Sequence, residues 1–104
     1  MIVAITTFKL HRPETLENIT KTFQTTAPKY RGVRGLIRKN YFLSEDGSRA
    51  GGIYLWESKA DAERMYTPDW VKFVTEKYGT PPTVEFLNSP VTVDNREGTI
   101  SVAA

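Results

Sequence analysis

The chain has 104 residues, of which 39% are apolar and 25% are charged, and these values are typical of one ordinary globular domain. Its 14 basic and 12 acidic residues are interspersed, so the net charge of +2 does not indicate a nucleic-acid partner. The lack of cysteine excludes disulfides, thiolate metal sites and cysteine nucleophiles. Without a signal-peptide pattern or an apolar run of roughly 18 residues, we expect a cytoplasmic protein with no membrane partner.

A strand and a helix open the predicted fold. Apolar residues alternate over Ile2–Leu10 and predict a first strand, and Pro13 suits the first turn of a following helix. Apolar residues at helical spacing predict that helix over about 14–26, and Pro28 is expected to end it. The predicted inward stripe of this helix consists of Leu16, Ile19, Phe23 and Ala27.

The next two strands are predicted to form a hairpin. Leu36–Leu43 is the second strand, Ala50–Glu57 is the third, and the Asp46-Gly47 pair between them favours a tight primed turn. A two-residue turn would place large side chains opposite bare glycine backbone, whereas a three-residue loop would shift the pairing. The predicted pairs are then Leu43 with Ala50, Tyr41 with Gly52, Lys39 with Tyr54, and Ile37 with Trp56.

The third strand is the most informative segment of the chain. Its Gly51-Gly52 pair is typical of close approach by another group, since glycine weakens a strand. Alternation predicts one face of Ala50, Gly52, Tyr54 and Trp56, and a second face of Gly51, Ile53, Leu55 and Glu57. Neither face is polar over Ile53–Trp56, so both need a cover. This predicts a homodimer and a small aromatic-lined cavity beside the sheet.

Two short helices and a last strand complete the predicted domain. Ser58-Lys-Ala-Asp61 is a capping-box variant that opens a second helix, and Thr67 with Pro68 restarts it as N-cap and first residue. Thr83–Val93 predicts the last strand, which Pro90 interrupts, and this favours an edge or crossing position. We expect one domain over residues 1–95 and a fraying C-terminal tail over 96–104.

The predicted order is β-α-β-β-α-β, which indicates an α+β fold of the ferredoxin-like type. One antiparallel sheet would carry the helices on one face, while its other face is apolar and has no cover within the chain. Two such sheets packed face to face would bury that surface by a twofold operation. The sequence therefore predicts a dimeric α+β barrel.

Two of these segments resemble a known family. Ala50-Gly-Gly-Ile-Tyr-Leu-Trp56, and Gly35-Leu-Ile-Arg-Lys-Asn-Tyr41 before an Asp-Gly turn, are similar to segments of the YdhR-type monooxygenases of the dimeric α+β-barrel superfamily. The likeness covers Ile2 to about Asn95. It implies a cofactor-independent monooxygenase acting on an aromatic or polyketide-like small molecule in a cleft between sheet and helices. In such enzymes a phenolic substrate gives its own electrons to oxygen, so no cofactor is expected.

The chain also departs from that family pattern. Cofactor-independent members carry an Asn four residues before a Trp on the third strand; Trp56 matches the Trp, but Gly52 stands where the Asn would be. The haem-degrading branch uses a later histidine ligand, and this chain has no histidine after His11. The resemblance therefore disfavours haem degradation and leaves cofactor-free oxygenation without one of its usual groups.

Three side chains are candidates for catalysis. The phenol of Tyr54 can donate a hydrogen bond to a substrate oxygen, or it can simply cover the glycines. An ammonium at Lys39 would stabilise a phenolate or enolate, or it would extend to solvent. His11 has the one side chain with an ordinary pKa near neutrality, and its alternative is a surface residue at a strand end.

Five further residues are candidates for binding a small aromatic or hydrophobic ligand. Core packing is the alternative role for each aromatic side chain among them. The predicted ligand-binding residues are Trp56, Tyr41, Gly52, Tyr66 and Trp70.

Two classes of function remain open from the sequence. The first is the cofactor-independent monooxygenase, and the second is a dimer that binds a small hydrophobic ligand without chemistry. One histidine is too few for a Ser-His-Asp arrangement or a clustered metal site, and the chain has no Gly-rich phosphate loop. Basic and aromatic residues alternate in places, but the signature of an RNA-binding sheet is missing.

Overall fold

The structure, a computed structural model, describes residues 1–103. Four strands form an antiparallel sheet in the order β2-β3-β1-β4, with the helices on one face, and two more form a separate hairpin. This arrangement confirms the predicted α+β ferredoxin-like fold. The elements are β1 (Ile2–Lys9), α1 (Leu16–Tyr30), β2 (Leu36–Leu43), β3 (Arg49–Trp56), α2 (Lys59–Met65), α3 (Pro68–Tyr78), β4 (Thr83–Asn88), β5 (Val91–Asp94) and β6 (Thr99–Val102).

The β2–β3 register follows the prediction except at one end. Leu43 with Ala50, Tyr41 with Gly52, and Lys39 with Tyr54 are partners as expected. The register then shifts between Leu36 and Arg38, so Leu36 pairs with Trp56 and the predicted pair of Ile37 with Trp56 is wrong. A bulge of this kind leaves one residue of a strand without a partner, and Ile37 is accordingly 49% exposed.

The loop between β2 and β3 differs from a primed two-residue turn. Such a turn needs positive φ at both central residues, whereas Gly47 has φ 77° and no non-glycine residue of the described chain has positive φ. The Gly47 N–H donates to the Ser44 carbonyl at 2.9 Å, and the Ser44 N–H donates to the Arg49 carbonyl at 2.8 Å. Asp46 accepts hydrogen bonds from Ser44 and Ser48, and these hold its pKa at about 2. The longer loop keeps the predicted register.

Helix α1 continues past Pro28, contrary to the prediction that proline ends it. Proline lacks the N–H that would bond the carbonyl four residues earlier, but the Arg31 N–H closes the last turn on the Pro28 carbonyl at 3.2 Å. Tyr30 is buried in that turn, so tertiary packing outweighs the local cost. The inward stripe also differs from the prediction, since Leu16 and Ala27 are exposed. The side chains that α1 turns inward are Ile19, Phe23, Thr26 and Tyr30.

Side-chain caps set the starts of the two short helices, as the sequence predicts. The Ser58 hydroxyl accepts the Asp61 N–H at 3.1 Å at the start of α2. The Thr67 hydroxyl accepts the Trp70 N–H at 3.2 Å at the start of α3, where Pro68 is the first residue. Together these helices lie over the same sheet face as α1. None of the helices within residues 1–103 is long and apolar enough to cross a bilayer.

The C-terminal segment contains a two-stranded sheet of its own. Strand β4 lies at a sheet edge, and after Pro90 the chain leaves the sheet and forms the β5–β6 hairpin. The Asp94 carboxylate accepts the N–H groups of Arg96 and Glu97 at 2.9 and 3.2 Å, which stabilises the turn between the strands. Strand β5 borders a surface groove on the helix-free face of the sheet, together with residues of β1, β2 and β3.

Candidate active site

Aromatic side chains fill most of the space between the sheet and the helices and enclose a small cavity there. Its volume is about 20 Å³, which is room for one water molecule. The cavity is lined by Thr6, Phe8, Phe23, Thr26, Tyr30, Lys39, Tyr41, Gly51, Gly52, Tyr54, Trp70, Phe73, Val74 and Tyr78. The sequence predicts an aromatic-lined cavity, and the structure has one of small volume.

The cavity brings together five of the eight predicted site residues. Lys39, Tyr41, Gly52, Tyr54 and Trp70 all line it. They come from β2, β3 and α3, and the antiparallel register puts the first four side by side. The remaining predicted residues, namely Trp56, Tyr66 and His11, lie outside this lining.

Lys39 is the cationic side chain of the cavity. Its Nζ lies 3.4 Å from the ring centroid of Tyr30, 3.8 Å from that of Tyr41 and 4.7 Å from that of Tyr54. Each ring face attracts an ammonium group. No carboxylate within residues 1–103 forms an ion pair with Lys39. The side chain is therefore surrounded by aromatic rings, without a counter-ion.

Two effects favour the neutral amine at Lys39. Burial is the larger one, because it removes water from the ammonium, and the positive charge of Lys29 adds to it. Together they lower the pKa of Lys39 from 10.5 to about 7. A side chain with such a pKa can both accept and hold a proton at neutral pH.

Gly52 makes room for the lysine. A Cβ at this position would lie 2.9 Å from Cε of Lys39 and 2.9 Å from Cε1 of Tyr54, which is closer than real side chains approach. The Gly52 N–H donates to the hydroxyl of Thr6 on the neighbouring strand at 3.1 Å. The bare backbone predicted from the sequence is thus what lets Lys39 cross the sheet surface.

Tyr41, Tyr54 and Tyr78 of the cavity remain protonated near neutral pH. Burial raises the pKa of Tyr54 far above its ordinary value and also raises that of Tyr41. Burial likewise raises the pKa of Tyr78 to about 12. The Tyr41 hydroxyl lies 2.8 Å from the hydroxyl of Thr26, and these two groups share a hydrogen bond. The phenols can therefore donate hydrogen bonds, whereas Lys39 is the cavity group whose pKa is brought to neutral pH.

Trp56 and Tyr66 form a packed cluster next to the cavity. Trp56 is 0% exposed, and its Nε1 donates to the Tyr66 hydroxyl at 3.0 Å. Its ring stacks on Tyr54 with centroids 6.1 Å apart, and Tyr66 meets Tyr54 edge-on at 5.3 Å. Trp56 and Tyr66 thus support the Tyr54 ring from behind.

His11 lies far along the chain from this cluster and on the protein surface. It is exposed, and its Nε2 is 3.1 Å from the Gly79 carbonyl. Since a carbonyl only accepts, Nε2 carries the proton in this contact. His11 borders a different surface cleft, with Leu10, Arg12 and Tyr78 among its neighbours. The structure does not bring it to Lys39.

Among the cavity residues absent from the predicted site, Tyr30 and Thr26 make the most direct contacts with the predicted ones. Tyr30 faces Lys39 and accepts a hydrogen bond from Nε1 of Trp70 at 3.1 Å, and Thr26 holds Tyr41. Their signal was present, because residues 19, 23, 26 and 30 follow helical spacing. The expectation that Pro28 ends the helix concealed it.

This arrangement is suited to stabilising an organic anion. An amine at Lys39 can take a proton from an acidic O–H or C–H and then remain beside the anion as an ammonium group. Within residues 1–103 no three His, Cys, Asp or Glu side chains cluster as metal ligands. The groups that these residues present are an amine and phenols, which can exchange protons and donate hydrogen bonds.

Known structures share this fold. A monooxygenase from the Streptomyces coelicolor gene ActVA-Orf6, solved with nanaomycin D, superposes with a TM-score of 0.64 at 21% identity, over 85% of this chain and 86% of that one. A mutant of SnoaB, a cofactor-independent oxygenase from Streptomyces nogalater, gives 0.63 at 15% identity, over 88% and 95%. A Deinococcus radiodurans protein described as a "putative antibiotic biosynthesis monooxygenase" gives 0.65 at 9% identity, over 90% and 97%. At such identities the likeness shows the fold alone.

Sequence comparison shows the family. None of the curated proteins compared with this chain matches it significantly. The family model described as "Putative mono-oxygenase ydhR" matches residues 3–79, which extend from the second residue of β1 past the end of α3 and include all the predicted site residues. The chain belongs to the ydhR mono-oxygenase family.

Proposed function

We propose that this protein is a cofactor-independent monooxygenase that oxidises an aromatic or polyketide-like phenol at Lys39. The observation that carries the proposal is the Lys39 amine, which is enclosed by three tyrosine rings and has no carboxylate partner among residues 1–103. The ydhR family match and the fold shared with cofactor-independent oxygenases support it.

The proposed reaction needs a base and then a cation. Neutral Lys39 removes a proton from the substrate, and the ammonium that results stabilises the phenolate or enolate. The electron-rich anion reduces dioxygen. A carbon–oxygen bond then forms at the substrate carbon and the oxygen–oxygen bond breaks. The carbon that is oxidised is a CH₂ group of the substrate. One oxygen atom stays on it as a carbonyl, and the other leaves as water with the two hydrogens of that group.

The other cavity residues would position the substrate. Tyr41 and Trp70 offer ring faces, Gly52 leaves space beside them, and the Tyr54 phenol donates a hydrogen bond to a substrate oxygen. Because the cavity holds about 20 Å³, a phenol enters only when Lys39 and Tyr41 swing outward. Both side chains are half-buried and lie on β2, at the edge of the sheet.

The same proposal includes a homodimer. The helix-free sheet face and the hairpin expose apolar side chains, and a monomer would leave this surface in water. A second copy packed face to face would bury it. The exposed apolar residues are Ile53, Leu87, Val91, Val93, Ile100 and Val102. Sedimentation equilibrium at micromolar concentration should give twice the chain mass, and a folded monomer would contradict the dimer.

A non-catalytic binder of a small hydrophobic ligand is the second candidate. Gly52 favours it, because the resemblance places an Asn of the cofactor-independent enzymes at this position. A binder would raise the melting temperature with its ligand and return the ligand unchanged.

Oxygen consumption separates the two candidates. Purified protein is incubated with 1,8-dihydroxyanthrone in an oxygen electrode, while the quinone product is followed by absorbance and mass spectrometry. The enzyme should consume one dioxygen per quinone, and the quinone should carry one atom of oxygen-18 from labelled dioxygen. A panel of anthrones and naphthols that bind but consume no oxygen above the uncatalysed rate would contradict the oxygenase.

A further inference from the structure

A groove runs along the protein surface between α1 and the edge strand β2. It consists of two clefts of about 280 Å³ each, which adjoin at Ala27 and Tyr41. The first continues toward the start of α1 and the end of β2, and the second continues toward the end of α1 and the start of β2. We call this pair of clefts the α1–β2 groove.

The two ends of the α1–β2 groove differ in chemistry. The first cleft has no charged side chain in its lining, and its apolar residues include Leu16, which is 72% exposed. The second is lined by Arg31, Arg38 and Lys39 and has no acidic residue in its lining. Arg38 lies at the edge strand and also borders the groove on the helix-free face of the sheet. The groove is therefore apolar at one end and positively charged at the other.

The α1–β2 groove also adjoins the cavity. Phe23 lines both the cavity and the apolar cleft, Tyr30 and Lys39 line both the cavity and the basic cleft, and Tyr41 lines all three. Side chains alone thus separate the groove from the cavity. Tyr41 stands in the middle, and its hydroxyl is held by Thr26 at 2.8 Å.

We propose that the α1–β2 groove binds an aromatic carboxylate, with the carboxylate at Arg31 and Arg38 and the apolar body extending toward Leu16. This inference deepens the proposed function. It rests on that function in one respect: for the reaction to occur, the reacting ring of the bound carboxylate must pass Tyr41 and reach Lys39. The charge complementarity is specific, since arginine binds carboxylates through a planar pair of N–H donors. The apolar body of the bound ligand would then cover the exposed side chain of Leu16.

Binding of a matched pair of probes tests this inference. The probes are 6-hydroxy-2-naphthoate and its neutral carboxamide, which share one ring system and differ in charge. Titration by ligand fluorescence at low ionic strength should give a preference of about tenfold for the carboxylate, since two exposed ion pairs act together. The preference should shrink in high salt because exposed pairs are screened.

Variants locate the binding. The double substitution Arg31→Gln with Arg38→Gln should abolish the preference while the carboxamide still binds. The control, Arg12→Gln with Arg34→Gln, removes the same charge from exposed arginines outside the groove. This variant should retain the preference for the carboxylate. Leu16→Asn should weaken both probes equally.

The outcomes also separate this inference from the oxygenase proposal. The carboxylate site would be overturned if the two probes bind equally, or if the control variant loses the carboxylate preference as fully as the Arg31 and Arg38 variant does. Either result would hold even if anthrones are oxidised. A carboxylate preference that depends on Arg31 and Arg38, without any oxygen consumption, would support the site and contradict the oxygenase.

Discussion

Tyr54 and Trp56 lie two residues apart on the same face of β3, yet their surroundings differ. Tyr54 borders the Lys39 cavity, where the lysine Nζ lies over three tyrosine rings and has no carboxylate partner in the described chain. Trp56 lies in a filled cluster, where its Nε1 is paired with the Tyr66 hydroxyl. A satisfied polar group stabilises a fold, whereas an unpaired and desolvated amine costs stability and is available for chemistry. We therefore expect mutations in the two regions to have opposite effects.

Replacing Lys39 should have the largest effect on turnover. Lys39→Met keeps the length of the side chain and removes the amine, so the rate should fall by about 10²–10⁴-fold, as for loss of a general base. The control is Lys72→Met on the exposed face of α3, where Nζ of Lys72 lies 3.9 Å from Oε1 of Glu76. Wild-type turnover should rise with pH through about 7, the pKa of Lys39. A Lys39→Met enzyme with normal turnover would remove the basis of the proposed mechanism.

Replacing Trp56 should have the largest effect on stability. Trp56→Ala removes a fully buried ring and should lower the free energy of unfolding by about 3–5 kcal/mol. Tyr66→Phe, which removes only the acceptor of the indole N–H, should cost about 1 kcal/mol. Urea unfolding measures both, and Tyr66→Phe remains informative if Trp56→Ala does not fold. Affinity for a naphthol should be unchanged in Tyr66→Phe, and a large loss would show that this cluster contacts the ligand.

The cost of burying Lys39 should appear as a pH dependence of stability. Between its folded-state pKa of about 7 and its ordinary value of 10.5, the unfolded chain holds a proton that the folded protein does not. The free energy of unfolding should therefore rise between pH 7 and 9.5, by at most about 1.4 kcal/mol per pH unit. Below pH 7 Lys39 is charged in both the folded and the unfolded state, so its contribution to the free energy of unfolding does not change with pH. The buried tyrosines oppose the trend only above their ordinary pKa of 10.0.

Urea unfolding at pH 7, 8 and 9 checks this prediction. Lys39→Met should be more stable than wild type at pH 7 and should lack the slope. An equal slope in both proteins would mean that another group is responsible.

His11 should give the smallest effect. Its ring is exposed and makes one contact with the Gly79 carbonyl, so His11→Ala should change stability by no more than about 0.5 kcal/mol. Turnover should stay at the wild-type level, because His11 does not line the cavity. A drop in turnover comparable to that of Lys39→Met would place His11 in the mechanism.

Local patterns were sufficient for the fold and for much of the cavity. Strand alternation placed Gly52, Tyr54 and Trp56 on one face, and the hairpin register placed Lys39 and Tyr41 beside them. What the pattern could not distinguish was which aromatic residue of that face borders open space. That depends on the elements packed above the strand, and alternation contains no information about them.

The errors have the same origin. The prediction that Pro28 ends α1 followed local propensity, but burial of Tyr30 carries the helix on to that residue. The predicted pair of Ile37 with Trp56 assumed a regular ladder, but the bulge places Leu36 there. Both concern residues whose long-range contacts outweigh the local rule.

By itself the sequence determined the order of strands and helices from β1 to β4, the two faces of β3 and the bare backbone at Gly52. These follow from alternation, capping residues and turn residues, which act over a few neighbouring positions. The tertiary structure alone decided that Lys39 has three aromatic neighbours without a counter-ion and that Trp56 lies outside the cavity. Desolvation and packing depend on residues distant in sequence, and it is folding that brings them together.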